Sequence, residues 1–83
     1  MEIRYTATAL EHLQMFDGAV RQRILEKMHF YRIQKNPLTF AKRLTGYDAY
    51  RFRVGEYRVV CDRESNTLRV LAVFKRDDAY RGL

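Results

Sequence analysis

The stretch Tyr50-Arg51-Phe52-Arg53-Val54-Gly55-Glu56-Tyr57-Arg58-Val59-Val60-Cys61 decides the fold. Two runs of alternating character flank Gly55-Glu56, and a glycine at the first central position is what a type II′ two-residue turn requires. If Gly55-Glu56 is that turn, Val54 faces Tyr57, Arg53 faces Arg58, Phe52 faces Val59 and Arg51 faces Val60. Side chains alternate between the two faces of a strand. One face then carries Tyr50, Phe52, Val54, Tyr57, Val59 and Cys61, the composition of a core. The other carries Arg51, Arg53, Arg58 and Val60.

This register sets two guanidinium groups side by side on adjacent strands, where like charges are destabilising. A phosphate between them would remove the repulsion, because the planar fork binds phosphate through two parallel hydrogen bonds. The alternative is that both arginines extend into water or pair with Glu56 or Asp62.

Outward from the hairpin, residues 49–54, 57–62 and 67–75 read as three strands, with Arg63 to Asn66 as the second turn. In the last strand, strict alternation assigns Leu68, Val70, Ala72 and Phe74 to the core. It assigns Arg69, Leu71, Val73 and Lys75 to the arginine face. Residues 38–48 read as a packed connector, with Lys42 and Arg43 adding positive charge ahead of the hairpin.

Towards the N-terminus, Glu2 to Ala7 alternates polar and apolar and predicts a first strand. Thr8 and Glu11 have the spacing of a capping box for a short helix with Leu10, Leu13 and Phe16 inward. Asp17 can cap a second helix reaching about Lys35, with Val20, Ile24, Met28 and Tyr31 as its stripe and Leu25 widening it. Pro37 disfavours helical geometry at Asn36 and ends it. The order β-α-α-β-β-β implies an α+β domain over 1–83, a four-stranded, antiparallel-rich sheet with a helical hairpin on one face.

The chain has 83 residues, and sixteen Lys and Arg oppose ten Asp and Glu for a net charge of +6. Such an excess attracts polyanions: nucleic acid or an acidic protein. Cys61 is the single cysteine, so neither an intrachain disulfide nor a thiolate zinc cluster can form, which points to the cytosol. No apolar run reads as a signal peptide or membrane span. His12 and His29 fall on the helices, away from the arginine face. No nucleophile–histidine constellation, Gly-rich phosphate loop or metal-ligand spacing appears, and no cofactor is expected. The polar run Lys75-Arg76-Asp77-Asp78-Ala79-Tyr80-Arg81 follows the last strand as either the rim of a site or a solubilising tail.

Three blocks carry a family resemblance: Leu44-Thr45-Gly46, the hairpin from Tyr50 to Val60, and Lys75 to Arg81. Together they resemble the signature blocks of the RelE/ParE toxin superfamily, and the element order agrees along nearly the whole chain. The resemblance implies the toxin of a type II toxin–antitoxin system, held by an antitoxin protein and reaching operator DNA only through it. RelE-like members are metal-independent endoribonucleases that cut mRNA in the ribosomal A site by attack of the 2′-hydroxyl on the adjacent phosphate. By position, Arg51 and Arg53 match basic residues that hold RNA and help activate that hydroxyl. Arg58 matches the arginine that stabilises the pentacoordinate phosphate, Arg76 one assigned to phosphate contact or leaving-group protonation, and Tyr80 a tyrosine that stacks on a base or acts as general base. Arg53, Arg58, Arg76 and Tyr80 are thus the expected catalytic set. Arg51, Lys75, Arg81, Lys42 and Arg43 are the expected RNA-binding residues. Two other functions fit the same scaffold: a ParE-like gyrase inhibitor, and a catalytically silent module serving as antitoxin partner or DNA corepressor.

Overall fold

The computed structural model describes residues 1–46 and 48–76. Strand β1 (Glu2–Tyr5) is followed by helices α1 (Ala7–Gln14) and α2 (Gly18–Arg32), a 3-10 turn over Pro37–Phe40, and strands β2 (Ala41–Arg43), β3 (Tyr50–Val54), β4 (Tyr57–Glu64) and β5 (Thr67–Lys75). The strands form one sheet in the order β1-β5-β4-β3-β2. The sheet therefore has five strands, not the expected four. The additional one is β2, three residues of the connector that pair antiparallel with β3 at the sheet's edge. So short a segment leaves no period to read in the sequence. All pairings are antiparallel except β1 with β5, which is parallel; the helical hairpin carries the chain from β1 to β2 at the opposite edge, and the strands then return one by one to β5 beside β1.

The β3–β4 hairpin forms in the expected register, with Val54 opposite Tyr57, Arg53 opposite Arg58 and Phe52 opposite Val59. Gly55 has φ +58°, a conformation in which a side chain would be strained and a first central residue of a primed turn must sit. Helices α1 and α2 cover one face. Ala9 and Leu13 of α1, and Ile24, Met28 and Tyr31 of α2, are buried with Phe52, Val54, Val59, Cys61, Leu68, Val70 and Val73 of the sheet. Tyr31 also donates its hydroxyl to the carbonyl of Arg53 at 2.9 Å, which fastens α2 to β3.

Three local expectations are corrected. The cap of α1 is Thr6, not Thr8: its hydroxyl oxygen accepts from the Ala9 amide at 3.2 Å, and the helix begins at Ala7. The inward side is consequently Ala9 and Leu13, while Leu10 stands 47% exposed. Helix α2 ends at Arg32 rather than near Lys35, and the Asp17 side chain makes no cap hydrogen bond.

The third correction concerns β5, where strict alternation fails. Val60 pairs with Ala72 but Cys61 pairs with Val70, so Leu71 is an extra residue on β5. A bulge of this kind shifts the parity of every side chain beyond it. Leu68, Val70 and Val73 are the buried residues of β5, and Ala72 and Phe74 turn to the face opposite the helices. Thr6 holds the bulge: its amide donates to the Val70 carbonyl at 3.1 Å and its hydroxyl to the same carbonyl at 2.9 Å. Beyond the end of β1, the Val73 amide has no strand to pair with, and it donates to Nδ1 of His12 at 3.1 Å.

Candidate functional site

Cross-strand neighbours share a face, so the register assembles the sheet's outer surface row by row. One row runs Lys42, Arg51, Val60 and Ala72 across β2, β3, β4 and β5. The next runs Arg53, Arg58 and Phe74 across β3, β4 and β5. Four cations therefore lie on adjoining strands of the face away from the helices, and these two rows contain no carboxylate.

Lys42 and Arg53 are exposed, and Arg51 and Arg58 are half-buried. Arg58 is tied to the hairpin itself, its Nη1 donating to the carbonyls of Gly55 at 2.9 Å and Tyr57 at 3.0 Å. These bonds hold the guanidinium beside the turn. Asp62, one of the alternative partners for the arginine pair, is bound bidentately by Arg69: Nε reaches Oδ1 at 2.9 Å and Nη2 reaches Oδ2 at 2.6 Å. Arg69 holds the Asp62 carboxyl below the usual carboxylate range, chiefly through this hydrogen bonding.

The end of β5 is fastened to the hairpin turn, because the Arg76 amide donates to the Glu56 carbonyl at 2.6 Å. Arg53, Gly55, Glu56, Lys75 and Arg76 line an open cleft there of about 350 Å³. The structure thus brings Arg53, Lys75 and Arg76 together although 22 positions separate the first two along the chain. Lys75 reaches this cleft from the other side of the sheet: it stands opposite Tyr57, not on the arginine face as strict alternation assigned it. Arg43 lies apart. It is opposite Tyr50, on the reverse of the strand from Lys42, and its Nη2 is 3.5 Å from the Asp48 carboxylate. Tyr80 and Arg81 lie outside the described residues.

Chemically, the arrangement offers fixed positive charge. Guanidinium groups stabilise negative charge developing on phosphoryl oxygens, and do so best when held in place beforehand. Two other reactive groups are withdrawn from use by burial. Cys61 is buried, and burial pushes its thiol up to about 12. Burial pushes the neighbouring Tyr5 phenol up to about 12 as well. Among the described residues, no group of His, Cys, Asp and Glu is arranged to hold a metal ion, and no helix is long and apolar enough to cross a membrane.

Sequence reasoning found the arginine pair but missed Phe74, which it placed in the core. It also missed the function of His12, whose ring serves a backbone amide. Neither leaves a sequence signal: a bulge inside an apolar run buries apolar residues in either register, and an orphan amide is visible only once the strand ends are known.

The chain is similar to several solved toxin structures. The RelBE2 toxin–antitoxin complex from Mycobacterium tuberculosis contains a chain 24% identical, with a TM-score of 0.79 over 90% of each chain. The RelB-RelE complex from Methanococcus jannaschii contains one 25% identical, with a TM-score of 0.73 over 96% of this chain and 98% of that one. Isolated RelE from E. coli is 17% identical, with a TM-score of 0.70 over 99% and 98%. No curated protein matches in sequence. The family model described as the ParE toxin of the type II toxin–antitoxin system parDE matches residues 3–80. That match covers nearly the whole chain, and the fold agrees with it: the protein belongs to the ParE toxin family, within the RelE/ParE superfamily of type II toxins.

Proposed function

We propose that this toxin is a ribosome-dependent endoribonuclease that cleaves mRNA in the A site and so stops translation. The observation that carries the reading is the direct opposition of Arg53 and Arg58 in a row beside Arg51 and Lys42. Four adjoining cations concentrate positive charge on one face, and a phosphodiester backbone laid across them would be held by charge-assisted hydrogen bonds. On this reading Arg53 and Arg58 hold the scissile phosphate, and their charge stabilises the pentacoordinate state formed as the 2′-hydroxyl attacks. Arg76 approaches from the cleft at the end of β5, as a phosphate contact or as proton donor to the leaving oxygen. Arg51 and Lys42 extend the contact along the backbone, and Lys75, Arg43 and Arg81 contribute flanking charge. Tyr80 would serve as the stacking or basic group that the superfamily resemblance assigns it.

The partners that follow are the ribosome, mRNA and a cognate antitoxin, all in the cytoplasm. The similar chains from M. tuberculosis and M. jannaschii were solved in complexes with antitoxins, and a net charge of +6 suits an acidic antitoxin segment laid over the arginine face.

A second reading has its own support. The family model that matches is named for ParE, and a ParE-like protein would inhibit gyrase without cutting RNA. One experiment separates the two. In a translation extract programmed with a defined mRNA, primer extension should show A-site cuts with the wild type and none with Arg58→Ala. Translation that stops without cuts, or growth arrest accompanied by DNA damage, sinks the nuclease reading in favour of the second.

A further inference from the structure

We infer that Phe74 is a nucleobase-stacking residue, the apolar neighbour of the arginine pair that makes this face selective for single-stranded RNA with an unstacked base. The inference rests on the proposal that the arginine face binds RNA, and it adds what that face recognises besides phosphate.

Three observations carry it. First, Phe74 lies directly opposite Arg58, which lies directly opposite Arg53, so one row across three strands reads aromatic, cation, cation. Neighbouring strands are about 4.8 Å apart, which sets the ring one strand from the first guanidinium and two from the second. Second, Phe74 is not part of the hydrophobic core. It is half-buried and absent from both the buried cluster and the apolar residues packed against it, whereas Val73 beside it is 2% exposed.

Third, the position is built. Leu71 is the extra residue that reverses the parity of β5, and Thr6 grips the Val70 carbonyl at that point through both its amide and its hydroxyl. Without the bulge Phe74 would face the helices and Val73 would face the arginines. Bulges beside functional sites often re-aim a side chain in this way. Here the result is to bring an aromatic ring out of the core and place it next to two arginines.

Aromatic rings interleaved with cations are how proteins hold single strands: the charge follows the backbone and the ring receives a base. Stacking needs a base free of its helical neighbours, so a paired duplex would gain charge contacts here but not the ring.

The test uses fluorescence anisotropy of the whole protein with a short labelled single-stranded RNA, and with the same strand made abasic at its central nucleotides. Wild type should bind the abasic strand roughly tenfold more weakly, the size of one lost stacking contact. Phe74→Leu, which keeps apolar volume but removes the ring, should lower affinity for the intact strand to the same degree and leave abasic binding as it was. Phe74→Tyr should bind as wild type does, which guards against a folding artefact in the leucine variant. Equal binding of both strands by wild type, or equal weakening of both by Phe74→Leu, overturns the stacking role. If Arg53→Ala leaves RNA binding unchanged, the RNA-face proposal itself fails and takes this inference with it. Loss of binding in Arg53→Ala without any effect of Phe74→Leu rejects the stacking role alone.

Discussion

Tyr31 donates its hydroxyl to the carbonyl of Arg53 at 2.9 Å, passing a hydrogen bond from α2 through the core face of the sheet to the residue whose side chain leads the opposite face. Its ring also packs on Phe52 with centroids 5.0 Å apart, and burial raises its phenol pKa above the usual value. Tyr31→Phe keeps the ring and removes only the bond. A single hydrogen bond of this kind contributes about 1 kcal/mol. The variant should unfold at correspondingly lower urea concentration, and should weaken RNA binding through the loosened backbone of Arg53. Unaltered stability would show that the bond contributes nothing.

On the proposed nuclease reading, function and stability oppose one another at the arginine pair. Arg53→Glu replaces a like-charged neighbour of Arg58 with an opposite one, a change expected to stabilise the sheet by about 0.5 kcal/mol. The same substitution places a carboxylate where a phosphate would bind. The expected result is a protein with a higher urea midpoint that no longer arrests growth when induced. A less stable Arg53→Glu protein would mean that the two arginines do not repel in the native state.

The hairpin at 50–61 was readable because every local signal there agrees: Gly55 for the turn, alternation on both arms, and one face apolar enough to fix the register. Both helices were readable from their stripes, although Thr6 and Thr8 offer nearly the same capping chemistry and only the tertiary bond to Val70 selects Thr6. The bulge at Leu71 was not readable. Leu71-Ala72-Val73-Phe74 is apolar throughout, so burying Val73 or burying Phe74 satisfies the same composition, and the choice is made by contacts with Thr6 and His12 from distant parts of the chain. The cations on β2, β3 and β4 do not depend on that choice and are legible in the sequence, whereas the placement of Phe74 beside them depends on it and is not.

His12 supplies a prediction that distinguishes a structural histidine from a chemical one. Its Nδ1 accepts from the Val73 amide just where β1 has ended. His12→Ala leaves that part-buried amide without a partner, at a cost of about 1–2 kcal/mol. Thermal or urea unfolding should register the loss, while mRNA cleavage measured at a temperature where the variant remains folded should be unchanged. A large fall in cleavage by a folded variant would place His12 in the chemistry.

Asp62 governs the last prediction, the acid limb of stability. Hydrogen bonding from Arg69 lowers its carboxyl pKa, and the charge of Arg69 adds to the effect against the opposing influence of burial. A carboxyl that titrates lower in the folded chain than in the unfolded one stabilises the fold fully above the unfolded value, about 3.9. That contribution is lost as pH falls through the folded value. The side chains of Arg69 and Asp62 are 44% and 23% exposed, so solvent screens the pair and its contribution is small. Urea unfolding across the acid range should therefore show wild-type stability falling more steeply below about pH 4 than that of Asp62→Asn. Between pH 5 and 8 the two curves should run parallel, with the variant displaced downward. Acid limbs of equal slope would show that the Arg69 bond does not persist in solution.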